Sequence, residues 1–198
     1  MKLIVTEFLT LDGMFEDPAP PPGYPSPEIG QFKHDELFES DALLLGRVTY
    51  EGFAKYWPTM KGTSDFAERM NSLPKFVATT TLESLEWNAS VLEGDVVGAV
   101  EALKQREGRT LLVYGSGTFA QTLLRHGLVD ELRLLVYPLI RGSGRRFFSG
   151  EDRLPLNLTS SRSLGAGVVL LVYEPTKQTQ SWLTPKVVAA STGVQGNS

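Results

Sequence analysis

The chain has 198 residues, 41% of them hydrophobic and 21% charged, with a formal net charge of -4 and no cysteine. That length and balance fit one soluble domain, which buries roughly 70% of its unfolded surface. They exclude disulfides, thiolate chemistry and any cysteine-based metal site. The densest basic pair, Arg145-Arg146, falls far short of a nucleic-acid footprint, and no apolar run reaches membrane-spanning length. With no secretory signal shape at Met1–Val5, a cytoplasmic protein without nucleic-acid or membrane partners is the default expectation.

Lys2 to Leu9 reads as a first strand ending at the turn Leu11-Asp12-Gly13. Glu7 interrupts its apolar run, and an outward direction is the usual one for an acidic strand residue. Asp17 to Pro27 holds six prolines and a glycine, so it is expected as a surface loop or lid. Glu28 to Ser40 has the spacing of an amphipathic helix, with Ile29, Phe32, Leu37 and Phe38 on its apolar side. Asp41 to Leu45 is a buried strand, and Thr49 to Trp57 a helix stopped by Pro58. A short helix over Thr63 to Leu73 precedes a strand at Lys75 to Thr79. Leu85 to Val91 holds one or two brief strands.

Asp95 is the expected cap of a helix running to Arg106 and ended by Gly108. Arg109 to Tyr114 is a strand, and Thr118 to His126 a helix ended by Gly127. From Asp130 the pattern turns all-strand: Glu131 to Tyr137, then Leu156 to Leu164 and Val168 to Glu174 as an antiparallel hairpin. The whole predicts an α/β domain over residues 1–174, its mostly parallel sheet extended by antiparallel strands. Residues 175–198, rich in Thr, Ser, Gln and Gly, read as a flexible or loosely docked tail.

Two segments carry the chemistry. Leu43-Leu44-Leu45-Gly46-Arg47-Val48-Thr49 and Leu111-Leu112-Val113-Tyr114-Gly115-Ser116-Gly117-Thr118 each run from apolar strand through glycine into a helix start. Free N–H groups and the positive end of the helix dipole gather at such a point and stabilise an anion. Two of them could hold the phosphates of a dinucleotide from two sides. Taken singly, each could also be a plain strand-to-helix turn. His34 and His126 lie too far apart in sequence to suggest a metal site. Arg141 to Arg146, with three arginines and two glycines, could take a substrate phosphate or be a solvated loop.

These segments resemble the dihydrofolate reductase superfamily. They stand closer to the branch holding the reductase domain of the bifunctional riboflavin deaminase–reductase and its stand-alone bacterial relatives. The resemblance covers Met1 to Glu174. It rests on Leu11-Asp12-Gly13, Gly46-Arg47-Val48-Thr49-Tyr50-Glu51, Tyr56-Trp57-Pro58, Val113-Tyr114-Gly115-Ser116-Gly117, Asp130-Glu131-Leu132 and Pro138 to Gly144, in that order. It implies a three-layer dihydrofolate reductase-like fold and NADPH as cofactor. It also implies cofactor contacts at Gly46, Arg47, Thr49, Gly115, Ser116, Gly117 and Thr118, with Thr79 and Thr80 facing the 2′-phosphate. The implied activity is hydride transfer to a small nitrogen heterocycle, pyrimidine-like or pterin-like.

Two alternatives stand beside it: 5-amino-6-(5-phosphoribosylamino)uracil reductase of riboflavin biosynthesis, and a non-catalytic dinucleotide-binding module. Phe8, Tyr50 and Trp57 are the aromatic candidates for the substrate ring, although Tyr50 or Trp57 could equally belong to the core. Asp12 is a candidate proton-handling group at the nicotinamide end, or merely the holder of its Asp-Gly turn. Folate reductases hold the pterin with a first-helix carboxylate, and the matching place here falls at Gly30-Gln31, neither of them acidic. A heterocycle other than folate follows.

Val168 to Val172 shows no polar alternation, so both faces of that strand are expected to be covered. A homodimer through the strands after Asp130 would do so, and relatives of the resembling family point the same way. The tail, anchored by Trp182 and Leu183, could cover them instead.

Overall fold

A computed structural model describes residues 1–15, 23–148 and 153–176. Its centre is an eight-stranded sheet in the order β4-β3-β2-β5-β1-β6-β8-β7. The strands are β1 (Lys2–Thr10), β2 (Ala42–Gly46), β3 (Lys75–Ala78), β4 (Ala89–Val91), β5 (Thr110–Tyr114), β6 (Glu131–Tyr137), β7 (Leu156–Ser163) and β8 (Val169–Pro175). β1 to β6 pair in parallel, while β8 pairs antiparallel with β6 and with β7. The expected mixed sheet with a C-terminal hairpin is what forms.

The helices are α1 (Pro27–Phe38), α2 (Arg47–Tyr56), α3 (Asp65–Ser72), α4 (Val96–Lys104) and α5 (Gly117–Arg125). α4 and α5 bury Val100, Leu103, Phe119 and Leu123 against Leu3, Val5, Leu44 and Val113 on one side of the sheet. α1, α2 and α3 cover the other side, where Leu37, Tyr50 and Met70 meet Ile4, Leu43, Leu45 and Leu112. Phe32 and Ile29 of α1 reach across to Leu135 and Leu170. Three layers result, as the resemblance implies.

Element ends moved by local chemistry. α1 starts at Pro27 because Ser26 caps it, its hydroxyl accepting from Ile29 N at 3.3 Å, and proline suits the first helical position. α2 starts at Arg47 rather than Thr49. It passes at Trp57 into a short 3-10 helix, Trp57–Met60, that contains Pro58. Before β4 the chain makes no second strand, since Trp87 and Asn88 take left-handed backbone at φ 58° and 52°.

The Pro-rich segment lies outside the described residues between 16 and 22; its end, Gly23 to Pro27, runs into α1. The tail beyond residue 176 also lies outside them. β8 buries Leu170 but leaves Val169 38% exposed, and the edge strand β7 has Leu158 50% exposed. Among the described residues the outer hairpin is therefore not covered on both faces.

Candidate functional site

β1 and β5 run side by side up to the pair Thr6↔Tyr114. There β5 ends and the backbone swings away through Gly115 and Ser116, both left-handed at φ 54° and 63°. The parted strands open two cavities that share Phe15, Gly52, Phe53 and Gly115 as walls.

The first, of about 700 Å³, lies where β2, β3 and β5 end. All nine residues expected at the cofactor line it: Gly46, Arg47, Thr49, Thr79, Thr80, Gly115, Ser116, Gly117 and Thr118. Two helix N-termini open onto it. α2 begins behind Gly46 with no side-chain cap, and α5 begins behind Ser116, likewise uncapped. The first N–H groups of each helix have no partner within the helix. Ser116 stitches the two strand ends together: its Oγ accepts from Gly46 N at 2.9 Å and donates to Tyr114 O at 3.1 Å. These two hydrogen bonds account for a non-glycine residue in left-handed backbone. Gly117 is required sterically, because an ideal Cβ there would lie 2.3 Å from Phe15 Cε2.

Two arginines border this cavity. Arg47 is held by Glu51 one turn on, at 2.9 Å and 3.2 Å. Arg145 donates to Thr118 Oγ1 at 2.6 Å and stacks over Phe15, 5.3 Å from the ring centre. From sequence alone Arg145 fits either a substrate phosphate or solvent. The fold brings it to the 115–118 turn because the 138–148 loop is pinned to the Asp12 turn, through Leu11 N to Leu139 O and Phe147 N to Gly13 O.

The second cavity, of about 1080 Å³, is mostly apolar and aromatic. Phe8 and Trp57 line it, as expected of substrate-facing rings, together with Tyr24, Ile29, Phe53, Tyr56, Phe66 and Met70. Tyr50 does not. It is 6% exposed, and its hydroxyl donates to Glu86 O at 3.2 Å and accepts from Glu86 N at 2.9 Å. Tyr50 and Trp57 belong to the same apolar cluster two turns apart, but only Trp57 reaches the cavity wall. Tyr50 is a core residue that ties α2 to the 79–88 segment. Tyr50→Phe should lower stability by about 1–3 kcal/mol, since both Glu86 backbone groups lose their partner, and leave cofactor affinity unchanged. Urea unfolding and cofactor titration check both halves.

Asp12 lines neither cavity. Its carboxylate accepts from Thr10 Oγ1 at 2.6 Å, Gly142 N at 2.9 Å and Arg141 N at 3.2 Å. The Thr10 hydroxyl above all, then Gly142 N–H, draws its pKa down to about 2. A group so firmly ionised cannot supply a proton near neutrality, so Asp12 acts as the pin of its turn.

Glu7 corrects another expectation. It does not point outward: it is 4% exposed and lines the apolar cavity. β1 lies at the middle of a sheet with helices on both sides, so it has no solvent face. Burial drives the Glu7 carboxyl up to about 8, with the Lys33 charge opposing in part. Its Oε1 is buried with no hydrogen-bond partner, as is Nε1 of Trp57. Lys33 lines the same cavity, is 14% exposed at its side chain, donates to Thr6 Oγ1 at 3.2 Å, pairs with Glu36 and lies 4.0 Å from the centre of the Tyr114 ring. Glu36 in turn holds Arg133 at 3.2 Å. The α1 face turned to the cavity shows Ser26, Ile29, Gly30 and Lys33, with no carboxylate. Glu28 instead accepts from the Ser26 hydroxyl at 2.7 Å.

Among the described residues no three His, Cys, Asp or Glu gather as a metal site, and no helix is long and apolar enough to cross a membrane.

Comparison with known proteins bears on the family and the fold. The chain is 27% identical over 178 residues to YyaP of Bacillus subtilis (strain 168), an uncharacterized protein, covering 87% of this chain and 94% of that one. A crystallised Shewanella sp. PV-4 protein named for riboflavin biosynthesis superposes with a TM-score of 0.68 at 21% identity, over 89% of this chain and 100% of that one. Dihydrofolate reductase from Enterococcus faecalis, complexed with NADP(H), superposes with a TM-score of 0.61 at 15% identity, over 88% and 96% of the two chains. At such identities the two structures speak for the fold alone. The sequence model of the RibD C-terminal domain fits residues 1–170, and the chain belongs to that family.

Proposed function

We propose that this protein is an NADPH-dependent reductase that passes a hydride to a small, planar, unphosphorylated nitrogen heterocycle of pyrimidine or pterin type. One observation carries the reading: an anion-favouring cavity and an apolar aromatic cavity meet at a shared wall of Phe15, Gly52, Phe53 and Gly115. A dinucleotide laid along the first would bring its nicotinamide to that wall, with an acceptor ring waiting in the second. Family membership and the NADP(H)-bound structural neighbour support the same reading.

The residues present fit the cofactor. The uncapped starts of α2 and α5 supply N–H donors, and Gly46 and Gly117 leave the backbone bare. Arg47 and Arg145 supply cations for phosphate oxygens, and Thr79 and Thr80 supply hydroxyls at the end of β3. Bound NADPH would supply the hydride. The chain's own part is to hold the two rings together and exclude water, for which the aromatic lining is suited.

The acceptor's class follows from charge. Among the described residues the apolar cavity has one cation, Lys33, and Glu36 already engages it. A substrate phosphate would find no free cation there, which argues against the phosphoribosylamino-uracil reductase reading. A non-catalytic dinucleotide module would leave the aromatic cavity, with its orphaned Glu7 and Trp57 atoms, without a role.

Titration of NADPH and NADH onto wild type and Arg47→Ala tests the cofactor. A charge-assisted contact to the 2′-phosphate contributes about 1.5–3 kcal/mol, so NADPH should bind about ten- to a hundredfold more tightly than NADH. Arg47→Ala should reduce that preference. Equal wild-type affinities would contradict the reading.

The half-exposed outer hairpin supports a homodimer through β7 and β8. Light scattering should give a dimer both for the full chain and for a chain ending at Glu174. A monomer in both cases would refute it, and association only after truncation would assign the cover to the tail.

A further inference from the structure

We propose that Glu7 is the proton source of the reduction, giving its carboxyl proton to the substrate nitrogen next to the carbon that receives the hydride. The inference rests on the reductase reading above and names the acid which that reading leaves open.

The geometry singles Glu7 out. It is the first β1 residue past the last β1–β5 pair, Thr6↔Tyr114, and so stands where the sheet parts. It shares the cavity lining with Phe15 and Gly115, which also wall the cofactor cavity. Among the described lining residues it is the only carboxyl. Its Oε1 is buried without a partner, a costly arrangement unless a ligand completes it. The cation nearest in charge, Lys33, is committed to Glu36 and Thr6 rather than to Glu7. Glu36 on α1, Tyr114 on β5 and Arg133 on β6 each have a partner, and of the tyrosines that also line the cavity Tyr24 donates to Pro138 O while Tyr56 packs edge-on against Trp57. Burial keeps the carboxyl protonated near neutrality, with its pKa at about 8. An acid of that strength is matched to donating at physiological pH.

The step balances. The hydride, from a reduced nicotinamide, adds to the carbon of a C=N bond. The π pair moves to the nitrogen, the Glu7 O–H bond breaks, and its proton joins that nitrogen. The products are an amine, an oxidised nicotinamide and the Glu7 carboxylate, which regains a proton from solvent before the next turnover.

The test has three arms on the full chain, with wild type and Glu7→Gln. Carbon-13 NMR of labelled glutamate in the ligand-free protein should show one carboxyl titrating near 8 that is missing in Glu7→Gln. NADPH affinity should be the same within twofold in the two proteins, which also shows that the variant is folded. Oxidation of NADPH should be followed with unphosphorylated pterins and aminopyrimidines as acceptors. Turnover should fall on the order of 100-fold or more in Glu7→Gln, and the wild-type decline as pH rises through 8 should vanish.

If all glutamates titrate in the ordinary carboxylate range, the proposal is overturned. It is equally overturned if Glu7→Gln keeps turnover within threefold and the same pH profile, and the reductase reading then still stands. Failure of wild type to bind NADPH, or to reduce any acceptor, removes the reductase reading and this proposal together.

Discussion

Glu7→Gln should flatten the loss of stability that wild type shows between about pH 4.5 and pH 8. The Glu7 carboxyl rises from 4.5 to about 8 on folding, because burial penalises its charged form more than Lys33 helps it. A folded-state pKa above the unfolded one means that the native protein binds more protons across that window. The contribution is whole below 4.5 and declines as pH climbs through 8. The shift corresponds to about 5 kcal/mol of pH-dependent stability. Glutamine keeps the shape and never ionises, so the variant should be the more stable of the two at pH 8.

Two buried lysines act in the opposite sense. Burial lowers Lys75 to about 8 and lowers Lys33 as well, so each adds stability as pH rises towards 10.5. The difference between wild type and variant, measured by urea unfolding at matched pH, removes the share of Lys75, while Lys33 loses the support of the Glu7 charge in the variant. A difference that stays constant from pH 4.5 to pH 8 would show that Glu7 ionises as freely in the fold as out of it.

Gly117→Ala should lower stability by about 1–3 kcal/mol, as overpacked sites do. The added methyl would stand 2.3 Å from the Phe15 ring, which Arg145 and Phe147 hold from other sides. Phe15 must then leave the wall shared by the two cavities. The same methyl crowds the approach to the first N–H groups of α5, so NADPH should bind about tenfold more weakly, a loss of about 1.4 kcal/mol. Thermal unfolding and cofactor titration measure the two effects. Unchanged values for both would mean that Phe15 does not rest on Gly117 in solution.

Much of this fold is legible in residue pattern, because its parallel strands are short apolar runs bounded by glycine and helix caps. β6 is read to the residue, and the nine cofactor candidates gather in one cavity because strand ends and helix starts are local features. What stayed hidden depends on distant packing. An acidic residue in an apolar strand suggests an outward face, yet a central strand with helices on both sides has none, and that decided Glu7. Tyr50 and Trp57 share a helical pattern, but the Tyr50 hydroxyl is taken up by the Glu86 backbone, a partner that no local pattern records. Arg145 reaches Thr118 only through a loop pinned from the Asp12 turn, and nothing local to Arg141–Arg146 records that tether.

A crystal structure of the protein with NADPH tests the central claim most directly. The claim predicts the cofactor's phosphates against Gly46, Arg47 and the 115–118 turn, the 2′-phosphate beside Thr79 and Thr80, and the nicotinamide at the wall between Phe15 and Gly115 with Glu7 beyond it. A nicotinamide turned away from the apolar cavity, or a cofactor bound elsewhere on the molecule, would contradict it.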